Sequence, residues 1–326
     1  MSGLPGITVA FLSWNRLHYF RATVESARRC IQYPDIEWII SDNASREPGL
    51  CSYIESLDWI QNKWFREQTH AAAMNEIVSR ATGKYLLLWP DDVQFVVEGD
   101  WMIRLVQTLE KNPWIGSTGL NFLRRKTYRR LIGPPRMEET VGMAAEAARR
   151  KFSFRIPRRI DGPGSLVTCG WRIPGVVPSG IPSLTPLSCW KKLGPWKTRD
   201  STQSNMVDSS LGAEDDMIER FQSSGLNWQQ ALLMQPVAAD IINDETGCKA
   251  KIRQGKRHGI YTPPKEGPFY YEILQGASMP ASDCGYPLAF ETTVRPMGFR
   301  LPCDANGNLL KSSLNSTVVT EIETSQ

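Results

Sequence analysis

The chain has 326 residues, 41% apolar, 22% charged and 10% aromatic, a globular balance that excludes wholesale disorder and fibrous repeats. Its 38 basic and 34 acidic side chains leave a net charge of +4, too small to mark a generic polyanion binder. Seven dispersed cysteines without a CxxC pair argue against a disulfide framework and a zinc knuckle, and point to a reducing cytoplasm. No stretch reads as a signal peptide or a bilayer span, so the expected protein is cytoplasmic, with peripheral attachment to a membrane left open.

The first third alternates strand and helix patterns. Ile7 to Leu12 is an apolar run rich in β-branched residues, followed by the polar turn Ser13-Trp14-Asn15 and then Leu17, Phe20, Val24, Ala27 and Ile31 at helical spacing. Glu37 to Ser41 reads as a second strand ending at Asp42-Asn43-Ala44-Ser45. Met74, Ile77, Val78 and Ala81 mark a helix face stopped by Gly83, whose lack of a side chain suits a left-handed cap. Tyr85 to Trp89 is a third buried strand, ending at Pro90-Asp91-Asp92. This order predicts an α/β fold, a parallel sheet flanked by helices. Ligands of such sheets bind beyond the carboxyl ends of the strands, where this chain places Ser13 to Arg16, Asp42 to Ser45 and Asp91-Asp92.

A helix is expected from Trp101 to Glu110, and then a long excursion from Phe122 to Arg172. Between Arg124 and Arg159 it carries twelve Arg or Lys against three Glu, a local charge of +9 that leaves about −5 elsewhere. A short helix at Cys189 to Leu193 should be capped by Ser188 and ended by Gly194-Pro195. Another begins near Glu214-Asp215-Asp216, buries Ile218 and Phe221 and stops at Gly225. Beyond Thr246 the pattern is loop-rich, and the Ser, Thr and Asn-rich tail after Asp304 reads as disordered.

Two acidic motifs carry chemistry. Adjacent carboxylates such as Asp91 and Asp92 at a strand end repel each other and desolvate poorly. A hard divalent cation, manganese or magnesium, relieves that strain; a solvated turn is the plainer reading of an arbitrary Asp pair, and the position at the third strand end favours the cation. Glu214-Asp215-Asp216 at a helix start is favourable through the helix dipole alone, and the same position suits a general base.

Taken in order, these motifs resemble the inverting family 2 glycosyltransferases of the GT-A fold. Ile7 to Arg16 is similar to their first strand and Asn-Arg turn, and Trp38 to Ser45 to their second strand and Asp-x-x-Ser turn. Ala71 to Asn75 with Gly83 to Val93 resembles the helix and strand that deliver the DxD motif, and Glu214-Asp215-Asp216 with Arg220 and Gly225 resembles the later acidic motif. The resemblance implies a GT-A sheet with a nucleotide-sugar-binding half at 1–115. An acceptor-binding half at 116–245 with a basic insertion at 124–160 would follow, then a loop-rich extension at 246–326. It also implies that Ser13, Asn15, Arg16, Asp42, Asn75 and Asp91 bind the nucleotide-sugar donor and that Asp92 holds the metal. Asp215, Glu214 or Asp216 would deprotonate the acceptor hydroxyl.

Three departures stand out. Pro90 takes the place of the first Asp of DxD, Met74 stands where an Arg often precedes the Asn, and the late His is missing near Pro236 to Asn243. His258 could replace that His as a metal or phosphate ligand, or belong to a solvated basic loop. Trp171, Trp190 and Trp196 are candidates for sugar stacking. The acceptor is unidentified; an anionic or lipid-linked one suits the basic segment, and nucleic acid is less favoured. The competing reading is a degenerate transferase fold that binds nucleic acid or a membrane surface.

Overall fold

A computed structural model describes residues 3–123, 160–164, 166–168, 183–197, 216–217, 220–221, 223–224, 229–240, 269–271, 273 and 296–300. The basic stretch 124–159, Glu214, Asp215, Ile218, Gly225, His258 and the tail after Asp304 lie outside these residues.

The chain opens with β1 (Ile7–Ser13), α1 (Leu17–Cys30), β2 (Ile36–Asp42), α2 (Leu50–Glu55), β3 (Asn62–Phe65), α3 (His70–Arg80) and β4 (Tyr85–Trp89). It continues through β5 (Val93–Phe95), α4 (Trp101–Lys111), β6 (Ile115–Leu123), β7 (Leu166–Thr168), β8 (Ser183–Pro186), α5 (Leu187–Leu193) and β9 (Gln229–Asp240). Asp216, Met217, Arg220, Phe221 and Ser223 are helical. β10 (Phe269–Tyr271) and β11 (Pro296–Arg300) form a separate antiparallel pair inside the region expected to be loops.

Among the described residues nine strands form one sheet in the order β3-β2-β1-β4-β8-β6-β9-β5, with β7 on β9. β3, β2, β1 and β4 run parallel, and β8 joins β4 antiparallel. This is the α/β architecture expected from the sequence. The reason lies in strand alternation. Ile7, Val9 and Phe11 of β1, Trp38 and Ile40 of β2, and Tyr85, Leu87 and Trp89 of β4 enter a core shared with α1, α2 and α4. Ala10, Ile39, Leu86 and Leu88 face the other way, into a core with α3, α5, Met217 and Phe221. Both faces are therefore buried, with each fully buried Ile, Leu or Phe contributing roughly 1.5–3 kcal/mol.

Four local expectations are corrected. α3 ends at Arg80 with Ala81 as its cap, so Gly83 is not a left-handed stop. A Cβ there would lie 2.5 Å from Thr8 N and 2.6 Å from the Ile7 carbonyl carbon, so glycine is needed because β4 starts hard against β1. α5 begins at Leu187 behind Pro186, which places Ser188 inside the first turn. The excursion is bracketed by β6 and β7, both paired with β9. Trp190 and Trp196 are buried core residues with ring centroids 4.6 Å apart, packing rather than platform; Trp171 lies outside the described residues.

Candidate functional site

Parallel pairing sets the site. Ser13 is in register with Asp42, and Phe11 is in register with Trp89, so the chain leaves β1, β2 and β4 at one level. The three polar strand ends thus lie side by side at the carboxyl edge of the sheet.

The β1 and β2 ends are laced together by side chains. Asn15 and Arg16 both adopt left-handed backbone conformations, with φ of 55° and 67°, a region that costs a non-glycine residue about 1–3 kcal/mol. The β2 loop holds them there. Asn15 N donates to Ser45 Oγ at 2.7 Å, and Asn15 Oδ1 accepts from the backbone N–H groups of Arg46 and Glu47 at 2.8 and 3.1 Å. Buried Glu47 accepts from the backbone N–H groups of Arg16 and Leu17. It thereby supplies the first turn of α1 with the acceptor, and the negative charge, that a helix start favours. The helix start that general reasoning offers to a phosphate is therefore committed to Glu47.

Asp42 is fully buried. Its Oδ1 accepts from Ser45 N at 2.8 Å and its Oδ2 from Ser45 Oγ at 2.6 Å. Burial pushes this carboxyl above its ordinary range, against the opposing hydrogen bonds from Ser45 and Ser13.

The β4 end carries the densest charge. Arg16 Nε donates to Asp91 Oδ2 at 3.2 Å and Nη2 donates to Asp91 Oδ1, the two-point fork that a guanidinium makes with a carboxylate. Nη1 donates to Asp92 Oδ2 at 3.0 Å. The guanidinium also sits over the Tyr19 ring, 5.6 Å from its centroid. Sequence reasoning assigned the relief of the Asp91-Asp92 repulsion to a divalent cation; a protein guanidinium supplies part of it. Asp92 Oδ1 accepts no hydrogen bond among the described residues. A hard oxygen of this kind suits a divalent cation, which also draws ligands from substrate phosphates. Among the described residues no group of three His, Cys, Asp or Glu is placed to hold a metal.

A second polar cluster sits beside α3, on the sheet face that α3 and α5 cover. Asn75 on α3 donates to the Trp196 carbonyl at 2.9 Å and accepts from Trp196 N at 2.8 Å. Arg220 donates to the carbonyls of Leu193 and Pro195 and to Asp216 Oδ2, 2.9 Å from Nε. Lys197 Nζ lies 2.5 Å from Asp216 Oδ1. Burial alone would raise the Asp216 carboxyl, but Lys197 and Arg220 outweigh it and hold the group below its ordinary range. These contacts latch the 193–197 turn between α3 and the helix that contains Asp216.

Of the sequence-derived candidates, Ser13, Asn15, Arg16, Asp42, Asp91 and Asp92 therefore meet at one edge. Asn75 and Asp216 meet at the latch, while Glu214, Asp215 and His258 fall outside the described residues. Sequence reasoning missed Glu47 and Lys197. Glu47 lies only two residues past the Asp-x-x-Ser turn, a place where an acid could have been asked which helix start it caps.

The profile described as Glycosyl transferase family 2 matches residues 8–171, half of the chain. The fold is that of an α/β protein, and the chain belongs to glycosyl transferase family 2. A curated relative, the uncharacterized protein y4gI of Sinorhizobium fredii, is 27% identical over 124 residues, which cover 36% of this chain and 13% of that protein. The chain thus matches only a small part of the relative's length. Among solved structures, mannosyltransferase PcManGT from Pyrobaculum calidifontis, in complex with GDP-Man and Mn2+, is similar at 14% identity and a TM-score of 0.45. That match covers 78% of this chain and 62% of the other. S. aureus TarS 1-349 is similar at 10% identity and a TM-score of 0.44, over 72% and 60% of the two chains.

Proposed function

We propose that this chain transfers a sugar from a nucleoside-diphosphate-sugar to an acceptor hydroxyl, with inversion. The supporting observation is the meeting of three polar strand ends on β1, β2 and β4, with buried Asp42 ending β2 and Asp91-Asp92 following β4. Residues 1–115 form the donor half in this reading, 116–245 the acceptor half, and 246–326 an extension.

Asp42 and the Ser13 to Arg16 turn line the pocket for base and ribose, and the Ser45 hydrogen bonds fix the Asp42 carboxylate for that contact. Asp92 would hold a manganese or magnesium ion. When bound, such an ion offsets the negative charge that develops on the leaving diphosphate. The acceptor oxygen attacks the anomeric carbon as the bond to the diphosphate oxygen breaks, and its proton passes to a carboxylate of the acidic motif. Asp216 is committed to Lys197 and Arg220 and held ionised at low basicity, so the base is assigned to its neighbour Asp215, with Glu214 next in line. Asn75 supports this half indirectly, by holding the 193–197 turn that carries Lys197.

The experiment is release of nucleoside diphosphate from UDP-, GDP- and dTDP-linked sugars, with and without an acceptor extract, by wild type and Asp92→Ala. Turnover of one donor by wild type and none by the variant is expected; equal turnover would remove Asp92 from the donor site. Absence of turnover with every donor would leave the fold as a binding protein.

A further inference from the structure

We propose that Glu47 is a positioning residue for the donor site: it holds the backbone of Arg16, and through the Arg16 side chain it sets where Asp91 and Asp92 stand relative to Asp42. The inference rests on the donor-site reading above. Its starting point is an arginine at a place that calls for a cap. Arg16 is the N-cap of α1, its carbonyl accepting from the backbone N–H groups of Tyr19 and Phe20, each at 3.0 Å. Ser, Thr, Asp and Asn are favoured there because a short side-chain oxygen satisfies the orphan N–H groups of the first turn. A guanidinium has no acceptor to offer, and this one makes no cap bond. It reaches instead to Asp91 and Asp92. The helix start is served from the β2 loop, by Glu47 Oε2, which accepts from Arg16 N, and from Leu17 N at 3.0 Å.

Glu47 is itself fixed. It is buried, and its own N–H donates to Asn15 Oδ1 at 3.1 Å, so the β2 loop and the start of α1 grip each other reciprocally. The same loop carries Ser45, whose hydroxyl accepts from Asn15 N and donates to Asp42. A continuous run of contacts therefore leads from Asp42 through Ser45, Asn15, Glu47 and Arg16 to Asp91 and Asp92. Strand pairing sets Ser13 against Asp42 and Phe11 against Trp89, but Arg16, Asp91 and Asp92 lie beyond the strands, where that ladder no longer holds them. Glu47 takes over the ladder's task at this point. Geometry near a reacting centre tolerates little, a misplacement of about 1 Å costing on the order of 10²-fold in rate. The reach of the Glu47 oxygen, more than its charge, should therefore govern turnover.

The test is kcat, KM for the donor and the Mn2+ concentration giving half-maximal rate, read on the full chain as diphosphate release from whichever of the UDP-, GDP- and dTDP-sugars wild type turns over. Glu47→Ala should lower kcat by about tenfold or more and raise the Mn2+ requirement, with KM for the donor little changed, because the Asp42 end keeps its Ser45 contacts. Two further variants decide the matter where the Ala variant does not fold. Glu47→Gln keeps an oxygen at the same reach without the charge and should retain most of the wild-type kcat. Glu47→Asp keeps the charge but draws the oxygen back by one methylene, and should lose kcat as Ala does. A role limited to helix stability predicts the reverse order, since the charge that a helix start favours is what Asp keeps and Gln loses. If Glu47→Asp keeps the wild-type kcat, or Glu47→Gln loses as much as Glu47→Asp, the Glu47 proposal falls and the donor-site reading stands, because wild type still turns over its donor. If wild type turns over none of the donors, both fall together.

Discussion

The two polar clusters, one at the strand ends and one beside α3, solve the same problem with different results. At the strand ends, Arg16 and Asp91 are 4% and 9% exposed as side chains; at the latch, Arg220 and Asp216 are 27% and 16% exposed. Each arginine grips an aspartate, yet the first pair is shut away from water and the second is not. The depth of the pair decides what it can be used for. The buried fork ties the β1 end to the residues that follow β4. The half-open latch engages both oxygens of Asp216, with Lys197 and Arg220.

The comparison can be broken most forcefully through activity. Asp215→Asn should retain nucleotide binding and lose transfer by about 10²–10⁴-fold, the range of a general base, whereas Asp216→Asn should lose far less, since its charge serves the latch. Steady-state rates with a turned-over donor check both, and the reverse ranking would reassign the base. Asp92→Ala should lower turnover on the order of 10²-fold or more without unfolding the chain.

Stability sharpens the same contrast. Arg16→Ala removes a buried two-point partner of Asp91 and should cost about 3–5 kcal/mol, while Arg220→Ala, at the more exposed pair, should cost about 1 kcal/mol. Urea denaturation of the two variants measures the difference, and equal losses would mean that depth is not what separates the clusters.

The smallest effect is in pH. Asp216 is held below its ordinary value of 3.8, so its contribution is full above that pH and is lost as pH falls through the lower, folded value. Asp42 is shifted the opposite way, chiefly by burial, so its contribution is present below 3.8 and is lost as pH rises through the higher, folded value. Stability profiles of Asp216→Asn and Asp42→Asn should therefore flatten on opposite sides of that point.

Much of the donor edge was legible because it is written locally. β1, β2 and β4 are apolar runs that end in polar turns, and the residues at those ends are consecutive. The antiparallel half was not legible, for reasons visible in its residues. β9 reads Gln-Gln-Ala-Leu-Leu-Met-Gln-Pro-Val-Ala-Ala-Asp, rich in helix formers, and becomes a strand by pairing along β6. β6 breaks its own alternation with two irregularities in register, and β8 is four residues of Ser, Leu, Thr and Pro. The charge on Asp91-Asp92 called for a cation, but no pattern could tie it to Arg16, which is 75 positions away. The latch joins residues 121 positions apart through a backbone contact, which composition does not record.

The central claim is that the carboxyl ends of β1, β2 and β4 bind a nucleoside diphosphate, and the most direct measurement is thermal unfolding of the protein against UDP, GDP, dTDP and CDP, with and without Mn2+. At 100 times its dissociation constant, a ligand of the folded state adds about 2.7 kcal/mol. One diphosphate should stabilise wild type in a Mn2+-dependent way, and Asp92→Ala should lose that dependence. A folded protein that none of the four stabilises, with or without Mn2+, would contradict the account.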